Sequence, residues 1–340
     1  MRQAVMVEPG RIEFRDVPVP EPKDTEVLIR VKRIGVCGSD IHVYHGKHPY
    51  TRYPVIQGHE FSGDVAAVGS KVHSVKVGQM VTATPQIVCG QCGPCVSGHY
   101  NICNSLKVVG FQAPGCGQEY FPVEAEKVVV LPPAFSYEAG ALLEPLAVAV
   151  HASQRIEQPL QGKNVVVMGA GPIGNLVAQV ARARGARRVA ITDMIDFRLQ
   201  IASGCGVTDT INLAQQEFIS AVRGVFKDGE IDVFFECVGS ETALAHAMAS
   251  VKKGGTIVVV GVYPSKISAD MGLVQDRELN IRGSLMYKIE DYHAGVELIQ
   301  KKLIETDRVI TNSFLFEDYL KAYQFIEDAK GKSLKVMIEV

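Results

Sequence analysis

Cys89, Cys92 and Cys95, followed by Cys103, place four thiols within the 15 residues from 89 to 103. Thiolates spaced by two residues, with glycine between them, fold a loop around a tetrahedral ion. Zinc suits such a set best, being soft enough for sulfur and free of redox liability, with an iron–sulfur cluster as the other metal reading. Four protein ligands close the ion to substrate, so its expected task is to stiffen a loop. Packed or pairwise oxidised cysteines are the bland alternative. A secreted disulfide scaffold would be short and cysteine-dense, whereas here eight cysteines lie in 340 residues and half of them cluster. The remaining thiols, Cys37, Cys116, Cys205 and Cys237, are scattered.

A second chemistry is written at Asn164-Val-Val-Val-Met-Gly-Ala-Gly-Pro-Ile-Gly174. Gly169, Gly171 and Gly174 form a G-x-G-x-x-G turn after a β-branched run and before a helical stretch, with Pro172 and Ile173 inside it. The first glycine permits the tight turn, the second lets a pyrophosphate approach the backbone, and the third lets helix pack on strand. The helix N-terminus then offers the phosphates a partial positive charge. Glycine-rich turns also serve plain packing, but here the next β-branched run ends at Asp193, 19 residues after Gly174, where a ribose-binding acid belongs. An acid at that position accepts hydrogen bonds from a free 2′-hydroxyl and repels a 2′-phosphate, so NAD is expected over NADP. Arg198 is placed to serve a phosphate or to stack on the adenine.

A catalytic metal needs an open position, hence fewer ligands drawn from separate segments. Candidates are Cys37 in Gly35-Val-Cys-Gly-Ser-Asp-Ile-His42, His59 and Glu60 in Gly58-His-Glu-Phe-Ser-Gly63, and Glu144 in Leu142-Leu-Glu-Pro-Leu146. Singly, Cys37 reads as a small core residue, His59 as a turn histidine and Glu60 as a surface charge. Glu144 interrupts the apolar stretch from Ala139 to Val150, and a carboxylate buried there needs a cation or strong donors.

The elements that must carry these groups follow from patterning. From Asn164 to Ser284 short β-branched runs alternate with helical stretches, the pattern of a parallel sheet covered by helices. The expected strands are Asn164–Met168, Arg188–Asp193, Thr210–Asn212, Ile231–Glu236, Thr256–Val260 and Leu279–Ser284, enough for a complete doubly wound domain. Residues 1 to about 145 are rich in Val, Gly and Pro, with alternating segments such as Glu26–Lys32 and Gly63–Val68, and read as a β-rich domain. Near the end, Phe316, Tyr319, Leu320, Tyr323 and Ile326 share a helical face, and Lys335–Val340 reads as a strand returning to the first domain. Cofactor and substrate are expected to meet between the two domains. With 35 basic against 37 acidic residues the net charge is −2, which disfavours a general nucleic-acid binder. No apolar run is long enough to span a bilayer and Met1–Pro9 lacks an apolar signal core, so a cytoplasmic protein without membrane partners is expected.

Taken together, Gly58-His-Glu-x-x-Gly63 with Gly69, the cysteine cluster and the Gly169 turn closely resemble the zinc-containing medium-chain alcohol dehydrogenases, especially their polyol and sugar-acid branch, in the family's order over nearly the whole chain. The resemblance implies an α/β architecture: a Rossmann doubly wound domain, residues 146–284, inserted in a β-rich GroES-like catalytic domain, residues 1–145 and 285–340. It implies that Cys37 and His59 bind catalytic zinc, with Glu60 a direct or water-mediated ligand and Glu144 the nearby second glutamate. It makes Ser39 the relay hydroxyl, His42 the relay histidine and Asp40 the acid that orients the zinc-bound imidazole. Cys116, Cys205 and Cys237 match no ligand position and are assigned to packing. A homodimer or homotetramer is also implied.

Oxidising a secondary alcohol removes a proton from oxygen and a hydride from carbon. Zinc makes the first loss feasible near neutral pH, Ser39 and His42 pass the proton to solvent, and NAD takes the hydride. Tyr44, Lys47, His48 and Arg52 lie between two metal-site motifs, where Tyr44 suits a hydroxylated chain and the positive charges suit a carboxylate. Sorbitol dehydrogenases carry an arginine where this chain has Met286, before Tyr287, a departure that keeps aldonates and other polyols in view. The competing expectations are a threonine or other alcohol dehydrogenase of the same family, and a non-catalytic dinucleotide sensor. A sensor would gain nothing from Cys37, His59, Ser39 and His42 together.

Overall fold

β-branched runs become strands, and the glycine and proline between them become turns, in the computed structural model of the chain, which describes residues 1–227 and 229–340. Up to residue 153 the elements that matter are β1 (Glu26–Val36), α1 (Gly38–Tyr44), β2 (Glu60–Val68) and α2 (Tyr137–Ser153). After it come β3 (Asn164–Met168), α3 (Pro172–Ala183), β4 (Arg188–Asp193), β5 (Asp209–Asn212), α4 (Phe218–Phe226), β6 (Ile231–Glu236), β7 (Val251–Val259), β8 (Asn280–Gly283), α5 (Tyr319–Asp328) and β9 (Lys335–Glu339).

One unit comprises residues 1–144, 288–296 and 310–340. Its seven-stranded sheet is centred on β1, which pairs antiparallel with β2 on one side and β9 on the other. The registers Gly35↔Glu60 and Met337↔Gly35 bring three distant segments side by side. The C-terminal run is thus a strand of the first sheet, paired along its length with β1. The core beneath includes Val27, Ile29, Val31, Ile34 and Phe61 with Phe316, Tyr319 and Tyr323, all buried. The expected helical face is therefore a packing face. It starts one turn later than its pattern, because Phe316 lies in a 3₁₀ turn ahead of α5.

The other unit comprises residues 145–287 and 297–309. Its sheet is parallel throughout, in the order β5-β4-β3-β6-β7-β8. In strand sequence this is 3-2-1-4-5-6, the Rossmann arrangement. β3 is buried along its whole length because helices cover both faces. β7 begins at Val251 rather than at the expected Thr256. A register shift between Ile231 and Val233 accommodates Gly254, whose φ of +70° breaks the pattern that a sequence reading relies on. Residues 297–309 cluster with this unit too, where the Glu305 N–H donates to Gln179 Oε1 at 2.7 Å. Among the described residues, no helix is long and apolar enough to cross a membrane.

Candidate metal centres and dinucleotide turn

Cys37 ends the β1 segment and caps α1: its backbone N–H donates to Asp40 Oδ2 at 2.9 Å, which fixes the acid under the first turn. Glu60 starts β2 beside β1 with His59 just before it, and ligand atoms of Cys37, His59 and Glu60 all lie within 4.8 Å of one another. The cluster is shielded, with His59 4% and Glu60 1% exposed. His59 Nδ1 lies 3.6 Å from Asp40 Oδ1, just beyond hydrogen-bond reach, so the acid faces one ring nitrogen and leaves Nε2 as the donor. Burial alone drives the His59 imidazolium down, yet the Asp40 carboxylate and the Cys37 thiol outweigh it and hold His59 well above the ordinary 6.5. These surroundings favour positive charge. Gln57 Nε2 donates to the Asp40 carbonyl at 3.1 Å and keeps the acid in place.

Glu60 is not the surface charge that it resembles in isolation. Lys335 Nζ, from β9, lies 2.7 Å from each of its carboxylate oxygens and 3.2 Å from the Val36 carbonyl, in a pair that is almost wholly buried. Burial pulls the ammonium down, but Glu60, Cys37 and Glu144 more than restore it, so Lys335 stays charged. Glu144 is buried on α2, directly before Pro145. Among the described residues it lies outside the group of mutually close ligand atoms, although it acts on Lys335.

Ser39 and His42 stand three residues apart on α1, hence on one helical face, the first half-buried and the second exposed. Tyr44 packs its ring edge-to-face against Tyr323, 5.8 Å between centroids. Lys47 and Arg52 are exposed. His48 is a correction to its reading as a positive charge: it stacks on Phe111 at 4.6 Å, and burial pushes its imidazole below the usual value. Phe111 in turn lies 4.9 Å from His59, so this aromatic pair walls the metal cluster, a role that no sequence pattern signalled. Met286, in the second unit, takes a left-handed backbone conformation with φ 48°.

The four-cysteine lobe is assembled locally. Cys89, Cys92, Cys95 and Cys103 hold their sulfurs within 4.8 Å of one another, the first three half-buried and the last buried. Backbone N–H groups of Asn104 and Cys95 pull Cys92 down to about 6, and the N–H of Cys89, 3.3 Å from the sulfur, lowers Cys103. Donors aimed at sulfur stabilise thiolates, the form that a metal takes. Cys116 is fully buried, as is expected of a packing thiol.

In the second unit, Gly169 has φ +96° and donates its N–H to Thr192 O at 2.8 Å, while a Cβ on Gly174 would lie 1.8 Å from Gly169 O. Those two glycines are demanded by protein packing. Gly171 is different. A Cβ there would meet no protein atom within 4 Å, so the space beside this helix-capping residue is open for a ligand. Pro172 and Ile173 begin α3. Asp193 accepts from the N–H groups of Ala170 (2.8 Å), Met194 (2.8 Å) and Ile195 (3.0 Å), with Arg198 Nη1 at 3.7 Å. These donors fix the carboxylate at the end of β4, beside the Gly169 turn.

Comparison with known proteins agrees with this geometry. The alcohol dehydrogenase GroES-like domain family matches residues 23–133 and the zinc-binding dehydrogenase family matches residues 172–301. A sorbitol dehydrogenase of Bacillus subtilis (strain 168) is 34% identical over 99% of this chain and 97% of its own. An L-threonine 3-dehydrogenase of Legionella pneumophila (strain Corby) is 34% identical over 97% of each chain. A solved structure from Sinorhizobium meliloti 1021, described as a zinc-binding dehydrogenase and bound to NADP, is 30% identical with a TM-score of 0.92, covering 100% of this chain and 99% of that one. With the four-cysteine lobe, the Cys37–His59–Glu60 cluster and the Rossmann turn in place, this chain belongs to the zinc-containing medium-chain alcohol dehydrogenase family and is an oxidoreductase.

Proposed function

We propose that the enzyme oxidises a secondary hydroxyl of a polyol or sugar acid with NAD. The observation that carries this reading is the convergence of a thiol, an imidazole and a carboxylate from separate segments within 4.8 Å of one another. The donor chemistry fits zinc: soft sulfur, borderline nitrogen and an oxygen, in surroundings that favour a cation. Cys37 and His59 would hold the catalytic ion, with Glu60 and Glu144 beside them, and Cys89, Cys92, Cys95 and Cys103 would hold a structural one. A zinc ion in the first site supplies Lewis acidity to the substrate hydroxyl, and bound NAD supplies the hydride acceptor.

The chain's own residues do the rest. Asp40 keeps the His59 ring in one orientation, and Gln57 keeps Asp40 in place. Ser39 takes the hydroxyl proton, and exposed His42, one turn further along α1, exchanges it with solvent. Gly171 and the first turn of α3 receive the pyrophosphate, and Asp193 takes the ribose. Its negative charge supports NAD, although the Sinorhizobium relative was solved with NADP. The catalytic domain in this reading is 1–145 with 285–340, the dinucleotide domain is 146–284, and the protein is a cytoplasmic homodimer or homotetramer. Lys47 and Arg52 are the charges available to a substrate carboxylate, with Tyr44 and Met286 shaping the site. The similarity to L-threonine 3-dehydrogenases favours a second reading, oxidation of the threonine hydroxyl.

The test is zinc content per chain together with a panel of polyols, aldonates and threonine, following NADH and NADPH formation. Two zinc ions, NADH formation abolished by a chelator, and a carboxylate preference that fades in Lys47→Ala/Arg52→Ala support the sugar-acid reading. A threonine preference replaces it, and preference for NADP overturns the role of Asp193.

A further inference from the structure

Asp40 is a buried charge that its own neighbours serve sparingly. It is 1% exposed, and Oδ2 accepts from the Cys37 N–H at 2.9 Å. Oδ1 has only Gln57 Nε2 at 3.5 Å, the limit of such a bond, with the His59 ring at 3.6 Å. A carboxylate taken out of water needs donors on both oxygens. The same core holds two donors that are not spent. Tyr319 and Tyr323 of α5 are 1% and 0% exposed, their ring centroids lie 5.5 Å apart, and neither hydroxyl has a partner among the described residues. Gln57 Oε1 is equally without one.

These groups face one another across two helices. The buried side of α1 is Asp40 and Val43, that of α5 is Tyr319, Ala322 and Tyr323, and Val43 shares one core cluster with all three. A Cβ on Gly117 would lie 3.2 Å from the Tyr319 hydroxyl and 2.9 Å from the Gln57 carbonyl, so the phenol ends beside the backbone that carries Gln57. Burial first, with the Asp40 charge adding to it, pushes both phenols well above the ordinary 10, so each keeps its O–H proton. A buried hydroxyl costs free energy unless it is bonded. Two unspent donors and two underused acceptors match the valence of a single water, which accepts from both phenols and donates to Asp40 Oδ1 and Gln57 Oε1. We propose that Tyr319 and Tyr323 are positioning residues that hold one buried water against Asp40 and Gln57, and that this water keeps the carboxylate fixed toward the His59 ring. A helix that carries no ligand thereby supports the catalytic metal. This deepens the proposed function and rests on its reading of the Cys37–His59 site.

The experiment uses the full-length zinc enzyme and tyrosine-to-phenylalanine changes, which remove one oxygen and keep each ring. Crystals of the wild type should show density for one water within hydrogen-bond distance of both phenols and of Asp40. Tyr319→Phe is expected to lower Tm and to speed release of the catalytic zinc to a chelator by about 10-fold, the lower end of the scale on which outer partners tune a metal site. A hydroxyl that bonds nothing gives the opposite result, since removing it is neutral or stabilising. Tyr323→Phe has the same expected readouts and decides the matter should Tyr319→Phe fail to fold. Adding Tyr319→Phe to Asp40→Asn should change zinc release by less than about twofold, because both act through one carboxylate; effects that multiply overturn the link to Asp40. Density without that water, an unchanged or raised Tm, or zinc release at the wild-type rate in the folded variants overturns the proposal. Zinc content measured in Cys37→Ser separates the two levels. If it stays at the wild-type value, the reading of the site falls and the support to the metal falls with it; if it drops by one ion while folded Tyr319→Phe releases zinc at the wild-type rate, the inference alone falls.

Discussion

The lobe and the cluster are built in opposite ways from similar donors. The lobe takes all four sulfurs from one 15-residue loop, three of them half-buried, and backbone N–H groups of the same lobe lower Cys92 and Cys103. The cluster takes its donors from the residues that follow β1 and open β2, with His59 and Glu60 buried and Cys37 half-buried, and balances its charge with a lysine 275 residues from Glu60. A local site can be assembled by a loop closing on itself, so spacing alone announces it. A site stitched together by sheet register has no spacing of its own, and each member looks ordinary until the strands pair. The same contrast separates their tasks: four protein ligands close an ion off, while three or fewer leave room for chemistry.

The comparison can be broken most sharply by removing one ligand from each region. Cys37→Ser is expected to drop turnover to background while zinc content falls by one ion and thermal stability changes little; loss of both ions would show that the sites are not independent. Ser39→Ala should slow the proton step by about 10²–10⁴-fold with NAD affinity unchanged, read by pre-steady-state kinetics and cofactor titration. Asp40→Asn is expected to weaken retention of the catalytic ion by about 10- to 100-fold in chelator titrations without affecting the lobe. Cys103→Ser should lower Tm and release the structural ion, yet leave the KM of the surviving folded enzyme near wild type, because the lobe stiffens rather than reacts.

The smallest effect belongs to the other unit. Glu217 caps α4 by accepting from Ser220 N (2.8 Å) and Ile219 N (2.9 Å), donors that hold its carboxyl at about 2 against an ordinary 4.5. A value lowered by folding gives stability that is present above about pH 4.5 and is lost as pH falls through 2. Glu217→Gln should therefore flatten the acid limb of a pH-resolved thermal melt in that window while both metals stay bound. A melt with an unchanged limb would remove the cap from the account.

Much of this was legible residue by residue. Gly174 was readable because helix–strand contact excludes a Cβ there, and the structure shows that clash at 1.8 Å. Strands β3, β4 and β6 were readable to their ends, since burial on both faces leaves a short, mostly apolar run between polar ends. The true start of β7 was not, because the bulge that admits Gly254 is a property of its pairing with β6. His48 read as a charge and is a stacked, half-buried ring, since Phe111 reaches it from 63 residues away. Lys335 read only as the first residue of a returning strand, yet it is 2% exposed and paired with Glu60.

What the linear order determined by itself was every feature whose cause is local: the thiol spacing of the lobe, the glycine turn with its acid 19 residues on, and the α1 segment that carries Ser39, Asp40 and His42. What only the tertiary structure decided was which charges share a dielectric. The burial of Glu60 against Lys335, the shielding of His59 and the open space beside Gly171 all depend on where sheet register places atoms far apart in sequence. The strength of an electrostatic contact is set by distance and exclusion of water, and neither quantity exists before the chain has folded.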